Sequence, residues 1–530
     1  MWRKTFKRLC VFMVCTLTIF SMVSPVIASS PNEIDPPEPV IGKKSDSISL
    51  TGKVDNGNNE TPGEWYIGNT PTNPVPNAPV LLFVPGLNNV AQIFWENNDM
   101  YQTAVDAGYQ TAFIQLYDAG GASADMWNNG ALLADKIQEI SNHFNKPITV
   151  IAYSKGGVDT QTALTYYGAA TYVDNVITLS SPHHGSQLAD LAYSSWSSWL
   201  ADLIGAKGDG TYAMQTGYMA NFRSNIDTQP LAYYNDYYTL GGTAWGSAFS
   251  STWYGGMYLR QYGQNDGVVT TASSRLPGGS EVAIGDWTHT TIRTGVTFPV
   301  FANQLSGDQL TGHPNSSRGK NDSTHATTNR WLHGGPLKEH DTETIPLVIE
   351  NDVASVDVHL MTSGDISEVR LIDPSGRTLS PTIQSTQNEE GVFAGSTNHA
   401  LTIDKPMSGQ WEINITNKNN GAYLLTADYD SRSLIARNES IDYSHGMTYQ
   451  LEMESSQVEE QSLTATYRVT DTKDPRNSKT YTVKGTADLS KSLTFSNTNT
   501  VYNITIDIDG KTQSGHPFKR TIIESVMIGR

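Results

Sequence analysis

Four short apolar runs, "PVLLFVPG", "YQTAFIQLY", "ITVIAYS" and "NVITLSSP", follow one another between residues 79 and 182. Between the second and third lies "NNGALLADKIQEISNHF", which puts Leu133, Ile137, Ile140 and Phe144 at helical spacing. Apolar runs without polar alternation read as strands buried on both faces. Strands alternating with helices predict a mainly parallel sheet with helices on both sides. Residues 76–305 are therefore expected to form an α/β domain, with "SEVAIG" as its last strand.

At 530 residues the chain is too long for one ordinary domain, and two to four are expected. Residues 1–28 read as a secretory signal peptide: a basic start, "MWRKTFKR", an apolar run, and a small-residue cleavage site after Ala28. Both cysteines, Cys10 and Cys15, lie inside it, so the remainder is expected to hold no disulfide and no cysteine metal site. Val14 before Cys15 argues against a lipid anchor there. The formal charge of −18 deepens once the basic signal is removed, which disfavours nucleic-acid binding. No later run is apolar for long enough to span a membrane as a helix. A secreted, extracellular protein is the expectation.

Residues 29–75 read as a flexible lead-in and 306–340 as a polar linker. Beyond the linker the pattern changes to period two. Val356, Val358 and Leu360 alternate with polar residues, as do Trp411, Ile413 and Ile415, and then Tyr502, Ile504, Ile506 and Ile508. Such strands predict β-sandwich structure over 341–440, and over 441–530 a second β-rich domain or a continuation of the first.

The chemistry centres on "IAYSKGG", residues 151–157. A nucleophilic serine at a tight strand-to-helix turn requires small flanking residues, and Ala152 and Gly156 meet that need around Ser154. The motif A-x-S-x-G is weak alone, and its bland reading is an ordinary β-to-α turn. An oxyanion hole takes one backbone N–H after the serine and one from the loop after an earlier strand. Lys155 and Leu87 supply the natural pair, with Gly86 permitting the turn in "FVPGLNN". The Lys155 side chain is expected to point away from the reacting carbonyl, solvated or paired. With the order Ser, Asp or Glu, His, the base is His289 in "GDWTHTTIRTG" and the acid is Asp266 in "GQNDGVV". His183 and His184 are expected to shape the rim of the site.

Six stretches in order strengthen this reading: "VPGLNN", "NNGALLADKIQEI", "AYSKGG", "SPHHGSQLADLA", "NDGVV" and "WTHTTI". Together they resemble the bacterial secreted true lipases of the α/β-hydrolase superfamily, over about residues 78–303. The resemblance implies an α/β-hydrolase fold and a serine carboxylic-ester hydrolase, foremost a lipase, with the triad Ser154, Asp266 and His289 and no cofactor. Some positions depart from it. Tyr153 and Pro85 stand where the family often has histidine, and Thr291 stands where some members place an acidic calcium ligand. No calcium or other metal site is carried over.

The segment 187–260 is rich in aromatic residues and lies where this fold inserts caps over the site. Trp196, Trp199, Leu200, Leu203 and Ile204 form an apolar stripe, so Trp196, Trp199 and Leu203 are candidate substrate-binding residues. A helix packed on its own core is an equally good reading. An aromatic surface also suits insoluble polyesters, which leaves an extracellular polyhydroxyalkanoate depolymerase as a rival enzyme. A binding protein on an inactive hydrolase scaffold is the rival of another class.

Overall fold

The structure is a computed structural model and describes residues 60–119, 123–248, 250–305, 329–381, 383–388, 391–443 and 446–529. The segment read as a signal peptide and most of the stretches read as lead-in and linker lie outside these. A seven-stranded sheet organises the first half. Its strands are β1 (Trp65–Ile67), β2 (Val80–Val84), β3 (Thr111–Ile114), β4 (Ile148–Tyr153), β5 (Val173–Leu179), β6 (Asp236–Gly242) and β7 (Ser280–Gly285), in the order β1-β3-β2-β4-β5-β6-β7. β1 runs antiparallel to β3 and the other pairs are parallel.

Every residue of β2, β3 and β4 is buried, because both faces of the sheet are covered. Val80, Leu82 and Val84 turn to one core and Leu81 and Phe83 to the other, the period-two split of a central strand. On the first face lie α2 (Met126–Phe144) and α3 (Lys155–Tyr166), after the short α1 (Met100–Asp106). Leu133, Ile137 and Ile140 of α2 are fully buried as their spacing predicts. Asp125 caps the start of α2 by accepting from the Trp127 and Asn128 N–H groups, and Asn145 ends it in the left-handed conformation at φ 49°.

Two elements escape the simple pattern. β1 lies in the stretch read as flexible lead-in, and three residues are too few to show a period. β6, "DYYTLGG", is a central strand inside the segment read as a cap. Tyrosines and glycines mask it, and Gly242 is small because a Cβ there would stand 2.3 Å from the Trp287 carbonyl oxygen. The helices α4 (Gln187–Ala192), α5 (Ser198–Leu203), α6 (Asp209–Ala213) and α7 (Thr216–Ile226) connect β5 to β6, and α8 (Ser251–Leu259) follows β6.

Past residue 329 the described strands are all antiparallel, with one short 3-10 helix at Glu460–Ser462. A five-stranded and a four-stranded sheet form one sandwich, and a three-stranded and a four-stranded sheet form a second. Val356, Val358, Leu360, Trp411, Ile413 and Ile415 share the first core, and Tyr502, Ile504, Ile506 and Ile508 the second. The first sandwich begins with β8 (Arg330–Leu337), inside the stretch read as linker. β8 does not alternate because it is covered from both sides; a Cβ at Gly334 would stand 2.0 Å from the Trp196 carbonyl oxygen of the α/β half.

The two halves are packed together through a buried apolar cluster that includes Leu188, Leu191, Leu200, Tyr254, Leu332, Leu424 and Ile523. Polar contacts fix its register. Arg330, fully buried, binds Asp428 at 2.6 Å and donates to the Tyr258 and Met257 carbonyls at the end of α8, at 2.7 and 3.0 Å. Asp190 of α4 accepts from Ser525 Oγ and Thr216 Oγ1, both at 2.6 Å. Burial pushes the Asp190 carboxyl up to about 6, although these hydrogen bonds oppose the shift.

The folded protein thus holds this proton at pH values where the unfolded chain has released it. Asp190 therefore lowers stability as pH rises from about 4 through about 6, by up to roughly 3 kcal/mol. Asp190→Asn is expected to flatten that slope and to be more stable than the parent at pH 8. Urea unfolding from pH 4 to 8 checks it, and parallel curves for the two proteins would refute it.

Candidate active site

β2 and β4 are neighbours in parallel register, with Val84 opposite Ala152. Their following loops therefore leave the carboxyl edge of the sheet side by side, where ligands bind in open α/β sheets. Ser154 follows β4 with φ 52° and ψ −132° and opens α3. A non-glycine residue there is strained by roughly 1–3 kcal/mol, and the strain turns the hydroxyl out of the chain. The turn needs close neighbours without side chains. A Cβ at Gly156 would stand 2.4 Å from the Pro85 carbonyl oxygen, and one at Gly86 only 2.7 Å from Ser154 Cβ.

His289, in the loop after β7, places Nε2 3.1 Å from Ser154 Oγ. Its Nδ1 lies 2.7 Å from Asp266 Oδ2, and its backbone N–H donates to the Asp266 carbonyl at 2.9 Å. Asp266 is fully buried, and its other oxygen accepts from the Val268 and Val269 N–H groups at 2.9 and 2.7 Å. The carboxylate is thereby fixed with one oxygen reserved for the imidazole. Thr291 Oγ1 accepts from the Thr288 N–H at 2.8 Å and so braces the histidine loop. The Tyr153 ring backs the imidazole at a centroid distance of 5.0 Å, and its hydroxyl accepts from Arg293 at 2.9 Å.

Two backbone N–H groups border Ser154. Residues Gly86 to Asn89 form a turn closed by the Asn89 N–H on the Gly86 carbonyl at 3.2 Å, with Asn88 at φ 56°. The second residue of such a turn, Leu87, does not spend its N–H on the turn. Lys155 is the first residue of α3, where the helix offers its N–H no acceptor.

The cavity at Ser154 and His289 has an apolar wall that includes Leu87, Leu188, Met214, Val268 and Val269. The first sandwich adds Asn388, Gly391, Val392 and Phe393 to the lining. Among these, Phe393 is buried in the cluster with Leu188 and Tyr254. Trp196, Trp199 and Leu203 are not among the lining residues. Trp196 stacks on His333 at 4.8 Å and donates from Nε1 to Asp507 at 2.9 Å. Trp199 and Leu203, one turn apart on α5, face solvent at 56 and 53 % exposure.

Pro182 and Ser186 line the cavity where a histidine rim is expected. His183 is fully buried beneath, 3.4 Å from Thr178 Oγ1, and burial and then the Arg223 charge hold its pKa well below the ordinary value. Burial likewise pushes His184 down to about 4. Sequence reasoning missed the sandwich residues. The signal was present in "NEEGVFAGS", where an apolar pair sits in a loop between polar strands.

No protein-family model and no curated protein matches the chain. Among solved structures, the lipase BlEst2 of Bacillus licheniformis in its propeptide form superposes with a TM-score of 0.74 at 32% identity, covering 89% of this chain and 98% of that one. The chain belongs to the lipases and esterases of the α/β-hydrolase superfamily. The same Bacillus lipase in mature form is 44% identical over 47% of this chain and 100% of its own, with a TM-score of 0.44. As a member, this lipase-like chain is a carboxylic-ester hydrolase. No helix among its described residues is long and apolar enough to cross a membrane.

Because Gly86 touches the serine through backbone-limited contacts, Gly86→Ala is expected to lower kcat/KM on a short p-nitrophenyl ester about a hundredfold. The far-ultraviolet circular dichroism should be unchanged. Full activity would show that the turn yields freely.

Proposed function

We propose that the protein is a secreted serine hydrolase of lipid esters, acting by acyl transfer through Ser154, His289 and Asp266. The observation that carries this is the unbroken hydrogen-bonded chain, 3.1 Å from serine to imidazole and 2.7 Å from imidazole to a fully buried carboxylate. His289 Nε2 takes the proton from Ser154 Oγ as the oxygen attacks the ester carbonyl. Asp266 holds the proton on Nδ1 and stabilises the imidazolium. The developing oxyanion is received by the Leu87 and Lys155 N–H groups. The imidazolium then protonates the departing alcohol. In the second half, His289 activates water against the acyl-enzyme and returns the proton to Ser154.

The apolar wall suits an acyl chain. Of the aromatic stripe that suits a polyester surface, Trp196 packs against His333 in the sandwich, while Trp199 and Leu203 are exposed but do not line the cavity. A fluorophosphonate probe is expected to label the parent and not Ser154→Ala, whose ester hydrolysis should fall by roughly 10⁴-fold or more. Emulsified triglyceride should be hydrolysed in preference to polyhydroxyalkanoate granules. Absence of labelling in the parent would favour the inactive-scaffold reading.

The full chain reads as a precursor, since it aligns along most of its length with a lipase solved in propeptide form. Val392 and Phe393 line the same cavity as Ser154 and His289, so a long acyl chain filling it would meet them. Phe393→Gly in the full chain is therefore expected to raise kcat/KM on a p-nitrophenyl ester of a long acid several-fold, and less on the acetate. Equal rates for parent and variant on both esters would show that the loop does not obstruct the site.

A further inference from the structure

Asp118, in the loop after β3, joins the two segments that border Ser154. Its Oδ1 accepts from the Asn88 backbone N–H at 3.2 Å and from that of Ala124 at 3.4 Å. Its Oδ2 accepts from Lys155 Nζ at 3.3 Å and from Asn129 Nδ2 at 2.5 Å. Lys155 Nζ is also held by both oxygens of Asp159, at 3.0 and 2.9 Å, and Asn129 bridges to Asp159 at 2.9 Å. None of Asp118, Asn129, Lys155 and Asp159 is exposed.

This cluster sets one cation against two carboxylates in the buried interior, an arrangement that stability alone does not favour. Burial opposes the Lys155 charge, but the two carboxylates outweigh it and hold the ammonium protonated. Burial pushes Asp159 up to about 7 against the pull of Lys155. The side chain of Lys155 is thus tied away from the reacting carbonyl, and only its N–H faces the site. What Asp118 adds is the contact to Asn88. Asn88 N–H belongs to the peptide after Leu87, while the peptide that carries the Leu87 N–H is held by the Asn89 N–H on the Gly86 carbonyl, so anchoring Asn88 anchors the turn from which the Leu87 N–H emerges. A carboxylate is a stronger acceptor for such an N–H than a neutral group.

We propose that Asp118 is a positioning residue for the oxyanion hole, locking the Leu87–Asn88 turn in register with Lys155 through one buried carboxylate. The assignment rests on the serine-hydrolase reading above. Oxyanion donors act by being fixed at about 2.7–3.1 Å from the developing charge, so a tilt of this turn weakens the transition state more than the ground state.

The test compares Asp118→Asn with Asp159→Asn in the full chain. Each leaves one carboxylate for Lys155, so each is expected to fold, with a lower Tm for Asp118→Asn, whose amide NH2 meets the donors that Asp118 Oδ2 accepts from. The readings are kcat and KM on p-nitrophenyl butyrate and inhibition by butylboronic acid, whose tetrahedral serine adduct places an oxygen in the oxyanion hole. For Asp118→Asn, kcat and boronate affinity should both fall about thirtyfold or more with KM within twofold. For Asp159→Asn, both should stay within threefold of the parent. Should Asp118→Asn not fold, Asp118→Glu, which keeps the charge but moves the acceptor, takes the same readings with the same expected losses. An Asp118 variant that keeps kcat and boronate affinity overturns the proposal, as do equal losses in the Asp159 variant. A parent that neither hydrolyses the ester nor takes the fluorophosphonate label overturns the serine-hydrolase reading instead.

Discussion

The site depends on one close approach, the backbone of residues 85–89 laid directly against Ser154. Parallel pairing of β2 with β4 brings the two loops out of the sheet together. Their contact then leaves no room for a side chain at Gly86 or Gly156. Under that pressure Ser154 takes φ 52°, a conformation an isolated chain avoids. The strain is held by what lies beneath it. Val84, Ala152 and Ile151 are fully buried, and a strand locked on both sides gives the turn no way to relax.

The sandwiches are joined to the α/β half by interactions that tolerate one arrangement. An ion pair such as Arg330 with Asp428 is weak evidence for added stability, because desolvation offsets its attraction. Its effect is selective. Arg330 also satisfies two carbonyls at the end of α8, where the helix has no internal donors left. Any other docking would strand a buried guanidinium and those carbonyls together. Arg520 with Glu350 does the same between the two sandwiches, both groups being buried. This fixed docking explains how the loop with Val392 and Phe393, far along the chain from Ser154, reaches its cavity.

Much of this was legible in the residues. The buried strands, the α2 stripe, the alternating sandwich strands and the positions of Ser154, Asp266 and His289 all follow from local pattern and chain order. What escaped was whatever depends on contacts between distant segments. β6 hides behind tyrosines whose burial comes from packing rather than period. β8 fails to alternate because the α/β half covers its second face. Trp196, Trp199 and Leu203 have the spacing of an amphipathic helix, and spacing alone does not say whether the apolar face meets substrate, solvent or another domain. Phe393 lies in a loop of the first sandwich, and its partners Leu188 and Tyr254 belong to the α/β half. Lys155 reads as a flank of the serine, and only the fold shows that two carboxylates from β3's loop and α3 enclose it.

The two sides of the cavity are built to different standards. Ser154, His289 and Asp266 take their hydrogen bonds from one another and from Leu179, Val268 and Val269, all within the α/β half. The turn at Leu87 is held by Asp118, also within it. Nothing from the sandwiches touches these groups through a hydrogen bond among the described residues. The sandwiches meet the α/β half through α4, α5 and α7 and through the Arg330 contacts to α8, and they line part of the cavity. Access to the serine and geometry at the serine are therefore separable in this fold. Among the described residues, the hydrogen bonds that hold Ser154, His289 and Asp266 together are not shared with the sandwich loop that lines the same cavity.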